Sequence, residues 1–172
     1  MTASFNHSAC GRLPRRRLLG LLTGLPLVSL LRPRPVRAVE PDQAITQRIL
    51  PKNLRPLIRD ATGGVPPRRG RVRLSLPTLA ESGNSVRLKV EVESPMTAAA
   101  YVRQIHIFSE KNPRPLIARF SLGPRAGRAE VSTRIRLAGT QRVLALAVMN
   151  DGSAWLDTAE VAVTAAACVE GS

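Results

Sequence analysis

The sequence contains few aromatic side chains, and this shortage limits both its core and its partners. Phenylalanine, tyrosine and tryptophan make up 3% of the 172 residues, whereas hydrophobic residues as a whole reach 44%. The core of any folded domain must therefore consist of valine, leucine, isoleucine and alanine. Proteins that bind single-stranded nucleic acid stack the bases on aromatic side chains. The few aromatic residues here follow no interleaved pattern, so this kind of binding site is not predicted.

No hydrophobic run is long enough to cross a membrane. The longest, residues 18–31, has 14 residues and is interrupted by glycine and proline, whereas a membrane-spanning helix needs about 20. It follows RRR at 15–17 and precedes VRA at 36–38, an order that is typical of an export signal. We interpret residues 1–38 as a signal peptide that is cleaved after Ala38. The paired arginines favour the twin-arginine route over the general secretory route, which predicts a periplasmic protein with no stable membrane insertion.

The basic character of the sequence is partly a property of this signal. The formal charge of the whole chain is +14, but seven of its 26 basic residues and none of its 12 acidic residues precede Val39. The remaining 19 basic and 12 acidic residues give a formal charge of +7. Surplus arginine is typical of a solvated face or of a surface that docks another protein. No nucleic-acid partner is therefore predicted.

Histidine and cysteine are too scarce for common catalytic and metal sites. Each occurs twice, and cleavage after Ala38 would leave His106 and Cys168. A blue-copper site needs two histidines and a cysteine, and one histidine does not support a convincing serine, histidine and acid triad. A glycine-rich phosphate loop is also missing from the sequence. We predict no enzyme active site, no metal site and no cofactor. His106 alternates with Ile105 and Ile107, so it is expected to face solvent or a partner.

Beyond residue 70 the apolar residues recur with a period of two, which predicts β-strands. Val86, Leu88 and Val90, for example, alternate with charged residues. Segments rich in glycine, proline and asparagine, such as residues 81–84, predict turns between the strands. Seven short strands over roughly one hundred residues favour an all-β, immunoglobulin-like antiparallel β-sandwich. The strand candidates are residues 71–76, 86–92, 102–108, 116–122, 129–137, 142–149 and 155–163.

A short helical segment and a linker precede the strands. Residues 41–60 place apolar side chains on one side of a helix, which Pro51 and Pro56 are expected to interrupt. Residues 63–70, with the sequence GGVPPRRG, have the composition of a linker. The predicted organisation is a signal peptide (1–38), a helical segment and linker (39–70), the β-domain (71–164) and a C-terminal arm (165–172).

The C-terminal arm carries Cys168. The strand-like alternation ends at Thr164, and the following residues are too small to pack as an element of their own. Untethered chain ends are poorly ordered, so we expect Cys168 on an exposed tether whose thiol lies up to roughly 13 Å beyond Thr164. A single cysteine in an exported protein cannot form an intramolecular disulfide. Cysteine counting alone leaves three alternatives open: an accidental thiol, intermolecular pairing or a reactive group.

Several segments of the chain resemble the SoxY family of sulfur carriers in the thiosulfate-oxidising Sox system. Together with the signal and the terminal cysteine, this likeness covers nearly the whole mature chain. The segments are RVRLSLP (71–77), LAESG (79–83), VESPMT (92–97), EKNPRP (110–115), FSLGP (120–124) and STRIRLA (132–138).

The resemblance implies an immunoglobulin-like SoxY domain over residues 71–164 and a function for the arm. It implies a periplasmic protein, not itself an enzyme, that holds sulfur intermediates covalently on Cys168 and presents them to partner enzymes. The implied partners are a SoxZ-like subunit in a heterodimer, and c-type haem and hydrolase components of sulfur oxidation. No cofactor or metal is implied for the chain itself.

The residues around Cys168 differ from the glycines that are usual in this family. Ala166, Ala167, Val169 and Glu170 stand at those positions, and replacing glycine should stiffen the arm. Glu170 opposes formation of the thiolate, so we expect a partner enzyme to activate the thiol. The alternative function is a noncatalytic exported SoxY-like interaction module whose altered arm carries no sulfur.

Overall fold

The computed structural model describes residues 50–167, which form nine strands and one short α-helix. The predicted signal peptide and Cys168 lie outside the described residues. Within the described part, no helix is long and apolar enough to cross a membrane. The strands are β1 (Arg68–Arg69), β2 (Val72–Ser75), β3 (Leu79–Ser82), β4 (Val86–Val92), β5 (Val102–Ser109), β6 (Leu116–Ser121), β7 (Ala129–Ile135), β8 (Gln141–Met149) and β9 (Ala154–Ala165).

The strands form two sheets, as expected for the predicted immunoglobulin-like sandwich. The larger sheet has the order β1-β9-β8-β5-β6, with β3 also paired to β9, and the smaller sheet has the order β2-β4-β7. All pairings among the seven predicted strands are antiparallel. The predicted all-β fold is confirmed, and each of the seven strand candidates overlaps an observed strand.

Two short strands were missed by the sequence analysis, and both run parallel to β9. β1 has two residues and lies within the predicted linker. β3 includes Glu81 and Ser82, which were predicted as part of a turn. Three of the four residues of β3 are exposed, so the strand lacks the apolar alternation that reveals a half-buried strand. Both segments form strands because their backbone groups pair with those of β9.

The main core lies between the two sheets and is almost entirely aliphatic. Along β4, alternate side chains from Val86 to Val92 are buried, while Arg87 on the opposite face is exposed. Strands β5 and β8 contribute Ile105, Ile107 and Val143 to the same core. The expected aliphatic core is found between the sheets, with Tyr101, Phe120 and Trp155 only partly buried against it. The expectation fails for the domain as a whole, because Phe108 is 1% exposed in a second core.

A second core covers the outer face of the larger sheet. The α-helix α1 (Arg55–Thr62) and the preceding 3₁₀ turn (Lys52–Leu54) place Leu54 and Ile58 against Leu144 and Leu146 of β8. Strand β8 is therefore buried on both faces. Burial on both faces explains its continuous apolar sequence.

The helix differs in position from its prediction. It includes Pro56 as its second residue and continues to Thr62. Proline is tolerated at this position because an N–H group in the first turn has no acceptor within the helix. Gly63 ends the helix with a φ of 63°, a left-handed conformation that glycine adopts without steric cost. The first part of the predicted helical segment, residues 41–49, lies outside the described residues.

Candidate functional site

Strand β9 runs towards Cys168, and its last four residues extend beyond the end of its antiparallel neighbour β8. The ladder with β8 ends where Gln141 pairs with Val161. From there β9 continues to Ala165 beside β3, with Leu79 opposite Ala162 and Ser82 opposite Ala165. This parallel pairing extends the strand towards the residue that the sequence analysis singled out.

Along this extension, the side chain of Thr140 takes the place of the β8 backbone as the hydrogen-bond partner of β9. The Val163 N–H donates a hydrogen bond of 2.9 Å to Thr140 Oγ1, and this hydroxyl lies 3.4 Å from the Val163 carbonyl oxygen, to which it donates. On the other edge, Thr164 Oγ1 donates to the Ala80 carbonyl at 3.3 Å. The final residues of β9 are thus held on both edges.

Beyond β9, three hydrogen bonds form a feature that we call the clasp, made of Gly83, Leu137, Ala165 and Ala167. The Gly83 N–H donates to the Ala165 carbonyl at 2.8 Å, and the Leu137 N–H donates to the Gly83 carbonyl at 2.8 Å. The Ala167 N–H donates to the Leu137 carbonyl at 3.2 Å. The clasp therefore joins the β3–β4 turn, the segment after β7 and the end of β9.

The clasp leaves no room for a side chain at position 83. A Cβ atom on Gly83 would lie 2.8 Å from the Ala167 nitrogen and would collide with the Leu137 carbonyl oxygen. Both obstacles are backbone atoms, which cannot rotate aside as the end of a side chain can. Gly83 is needed here for close approach of three backbone segments.

The clasp corrects the predicted starting point of the tether. The end of the alternation predicted free chain directly after Thr164, but Ala165 belongs to β9 and Ala167 is hydrogen-bonded and 7% exposed. Small side chains gave no sign of packing, yet their backbone groups still find partners. Cys168, Val169 and Glu170 lie outside the described residues, so the attachment site itself remains a prediction.

An open groove of about 1160 Å³ runs beside the clasp. Strand β3 and the facing parts of β4 and β7 line it, and Leu79 on β3 is 62% exposed. Arg87 of β4 lies directly opposite Arg134 of β7, and like charges in this position repel. The Arg134 guanidinium donates to Ser85 Oγ at 3.1 Å. Arg87, Lys89 and Arg134 outnumber Glu81 in the lining, so this face is cationic.

His106 is buried, contrary to its prediction. It points away from Ile105 and Ile107 as the alternation required, but it is 1% exposed because this face of the sheet is also covered. Its ring stacks on Phe108 with 6.0 Å between centroids. Its Nε2 lies 3.3 Å from Gln104 Oε1, whereas Nδ1 has no hydrogen-bond partner among the described residues.

The apolar residues on the outer side of β8 were the overlooked sequence signal for this burial. Leu146 pairs directly with His106, and a sheet face that is apolar on two neighbouring strands must itself be covered. Between residues 50 and 167, the structure contains no group of three or more His, Cys, Asp or Glu side chains placed to hold a metal ion.

The pH dependence of stability should report this buried histidine. Burial lowers the pKa of His106 below 6.5, and the positive charge of Arg119 lowers it further. The unfolded chain then binds more protons than the folded protein just below pH 6.5, so stability is complete above that pH and falls as the pH drops towards the folded pKa. We expect the free energy of unfolding in urea to decrease between pH 7 and pH 5.

His106→Phe is the matched variant for this measurement, since it keeps a ring beside Phe108 but cannot titrate. Its stability should change less over the same pH range, because the other titratable groups are present in both proteins. Parallel curves for the two proteins would show that His106 is not the group responsible.

Comparison with known proteins identifies the family. The model of the family described as sulfur oxidation protein SoxY matches residues 58–168, which is more than half of the chain. The fold resembles the sulfur carrier protein SoxY from Chlorobium limicola f thiosulfatophilum with a TM-score of 0.55 and 28% identity, covering 64% of this chain and 96% of that one.

Other similarities are weaker. A variant of superoxide reductase (neelaredoxin) from Ignicoccus hospitalis matches with a TM-score of 0.50 and 19% identity, covering 62% of this chain and 85% of that one, which shows a shared fold alone. Among curated proteins, no relative matches the sequence. The family match agrees with the sequence segments and with the sandwich fold, and this chain belongs to the SoxY family of sulfur oxidation proteins.

Proposed function

We propose that this protein is a covalent sulfur carrier of a Sox-type thiosulfate oxidation system, with Cys168 as the attachment site. The observation that carries the proposal is the extent of the family match, which runs through residue 168 and so includes the cysteine. The SoxY structure that the chain resembles is that of a sulfur carrier protein. In this function the protein holds the intermediate while partners act on it, and it is not an enzyme by itself.

Loading forms a bond between the Cys168 sulfur and the terminal sulfur of thiosulfate. The thiol and the thiosulfate dianion give a cysteine S-thiosulfonate anion, one proton and two electrons. The electrons pass one at a time to oxidised c-type haem groups of a partner, which we assign as the oxidant. This step leaves a negatively charged sulfonate at the end of the arm.

Release of sulfate requires a hydrolase partner. Water breaks the bond between the outer sulfur and the sulfonate, giving sulfate dianion, a proton and a persulfide on Cys168. No electrons are transferred in this step, so of these two steps only loading at the haem partner oxidises sulfur.

The thiol needs help to react at neutral pH. A free cysteine with a pKa near 8.5 is only a few per cent thiolate at that pH, and Glu170, two residues further along the chain, disfavours the anion. The arm contains no lysine, arginine or histidine. We therefore assign activation of Cys168 to positively charged or hydrogen-bonding groups in the pockets of the partner enzymes.

The proposal also includes export of the protein to the periplasm and its pairing with a second subunit. The paired arginines and apolar run before residue 38 support a periplasmic location reached by the twin-arginine route. This route moves folded cargo, so it would carry the protein together with a SoxZ-like subunit that has no signal of its own. The cationic face beside the clasp is available to such a partner.

One observation favours the alternative, a noncatalytic SoxY-like interaction module. Ala167 stands at a position that is typically glycine in the family, and its N–H is bound to Leu137. An arm held this close to the domain would enter fewer enzyme pockets than a glycine-rich arm.

Intact-mass spectrometry of the protein from cells that oxidise thiosulfate tests the proposal. A sulfur carrier should show reductant-labile mass additions the size of sulfur, sulfonate or thiosulfonate, and peptide mapping should confine them to Cys168. Detection of only the free thiol or of a disulfide-linked dimer in the same cells would contradict carriage and support the interaction module.

A further inference from the structure

We infer that Gly83 and Leu137 position the sulfur-carrying thiol by clamping the arm at Ala167, one residue before Cys168. The inference rests on the proposed function for its biological meaning, but its physical content concerns the domain alone. In this view Gly83 and Leu137 are positioning residues, since they act on Cys168 through Ala165 and Ala167 and not by direct contact with the bound sulfur.

The hydrogen bonds of the clasp form an unbroken chain from the domain to the arm. The Gly83 carbonyl accepts from Leu137, and the Leu137 carbonyl accepts from Ala167. The Gly83 N–H binds the Ala165 carbonyl, two residues earlier on the same arm. Two points of attachment this close together fix both the position and the direction of the chain at Ala167, which is buried.

Glycine at position 83 makes this arrangement possible. A Cβ atom there would push against the Leu137 carbonyl oxygen and the Ala167 nitrogen, the two atoms whose hydrogen bond holds the arm. A side chain at position 83 would therefore open the clasp specifically. Gly123, by contrast, has open space around the position of a Cβ and an ordinary extended φ of −144°.

The clasp shortens the reach of the thiol. Consecutive Cα atoms lie about 3.8 Å apart across a trans peptide bond, so the Cα atom of Cys168 is one such step from a fixed residue. A tether that began after Thr164 would have reached roughly 13 Å. An enzyme that acts on sulfur bound to this protein must therefore bring its reactive groups to the edge formed by β3 and the segment at Leu137.

A nitroxide spin label on Cys168 tests the clasp in the full chain, with Cys10→Ser removing the other cysteine. Electron paramagnetic resonance spectra should show a mainly immobilised label in the parent protein. Gly83→Ala should convert most of this signal to the mobile component, while Gly123→Ala should leave the spectrum unchanged. Circular dichroism melting of each variant reports whether the domain stays folded.

A pair of proline variants keeps the test valid if Gly83→Ala fails to fold. Ala167→Pro removes the N–H that binds Leu137, whereas Ala166→Pro alters an exposed neighbour whose N–H has no backbone acceptor among the described residues. Ala167→Pro should release the label and Ala166→Pro should not. A label that is equally mobile in the parent and in all variants would overturn the inference.

The label measurement separates the two proposals. It requires no sulfur chemistry, so an immobilised label on a protein that never acquires sulfur in cells would support the clasp and contradict the carrier function. Sulfur adducts on a protein whose label is freely mobile would support the carrier function and overturn the clasp.

Discussion

Replacing Cys168 with serine is expected to abolish covalent sulfur binding by this protein. The substitution exchanges one sulfur atom for oxygen and leaves the clasp residues unchanged, so the domain should fold as before. A hydroxyl oxygen cannot form the sulfur–sulfur bond of a thiosulfonate or a persulfide. Reductant-labile mass additions on the protein from thiosulfate-oxidising cells should therefore disappear completely.

Cys10→Ser is the matched control, because it removes a cysteine of the predicted signal peptide and keeps Cys168. It should leave the pattern of adducts unchanged. Growth on thiosulfate should fail with Cys168→Ser alone if no second carrier is present. Adducts that persist in the Cys168→Ser protein would place the attachment site elsewhere and contradict the proposed function.

Replacing Leu54 with alanine is expected to destabilise the domain strongly. Leu54 is 0% exposed and packs with Ile58, Leu144 and Leu146 in the second core. Removing a buried leucine side chain loses its transfer free energy and leaves a cavity, at a cost of about 2–5 kcal/mol. The midpoint of urea unfolding should fall by about 1–2.5 M, since the free energy of unfolding of a small domain decreases by about 2 kcal/mol per M of urea.

Leu57→Ala in the adjoining helix α1 is the control, since Leu57 is only partly buried against this core. It should cost clearly less than Leu54→Ala. Similar small effects of both variants would mean that α1 and the preceding turn contribute little to stability. The segment would then be an accessory to the sandwich, as its prediction as a helical segment and linker suggested.

Two local patterns in the sequence predicted most of the sandwich. Alternation along β4 identified its buried face, since neighbouring side chains on any strand point to opposite sides. Clusters of glycine, proline and asparagine identified most of the turns. These signals depend on residues close together in the chain, so they survive without knowledge of the tertiary structure.

Features that depend on distant residues were missed. β1 and β3 are strands only because β9 lies beside them, and neither carries an apolar alternation of its own. His106 was assigned to the correct face of β5, but whether that face was covered depended on Leu54 and Ile58, about 50 residues away. The alternation of residues along a strand predicts which face of the sheet a side chain points to, but it does not predict whether other elements cover that face.

The features of the candidate site also divide into those that the sequence predicted and those that required the tertiary structure. The sequence by itself determined the family, seven of the nine strands and the cysteine proposed to carry sulfur, because residue types and short spacings are enough to identify them. Only the tertiary structure decided where the free arm begins, because Gly83, Leu137 and Ala167 are joined by backbone hydrogen bonds. Backbone groups are the same in every residue but proline, and so the identity of the side chains gave no indication that these three segments meet.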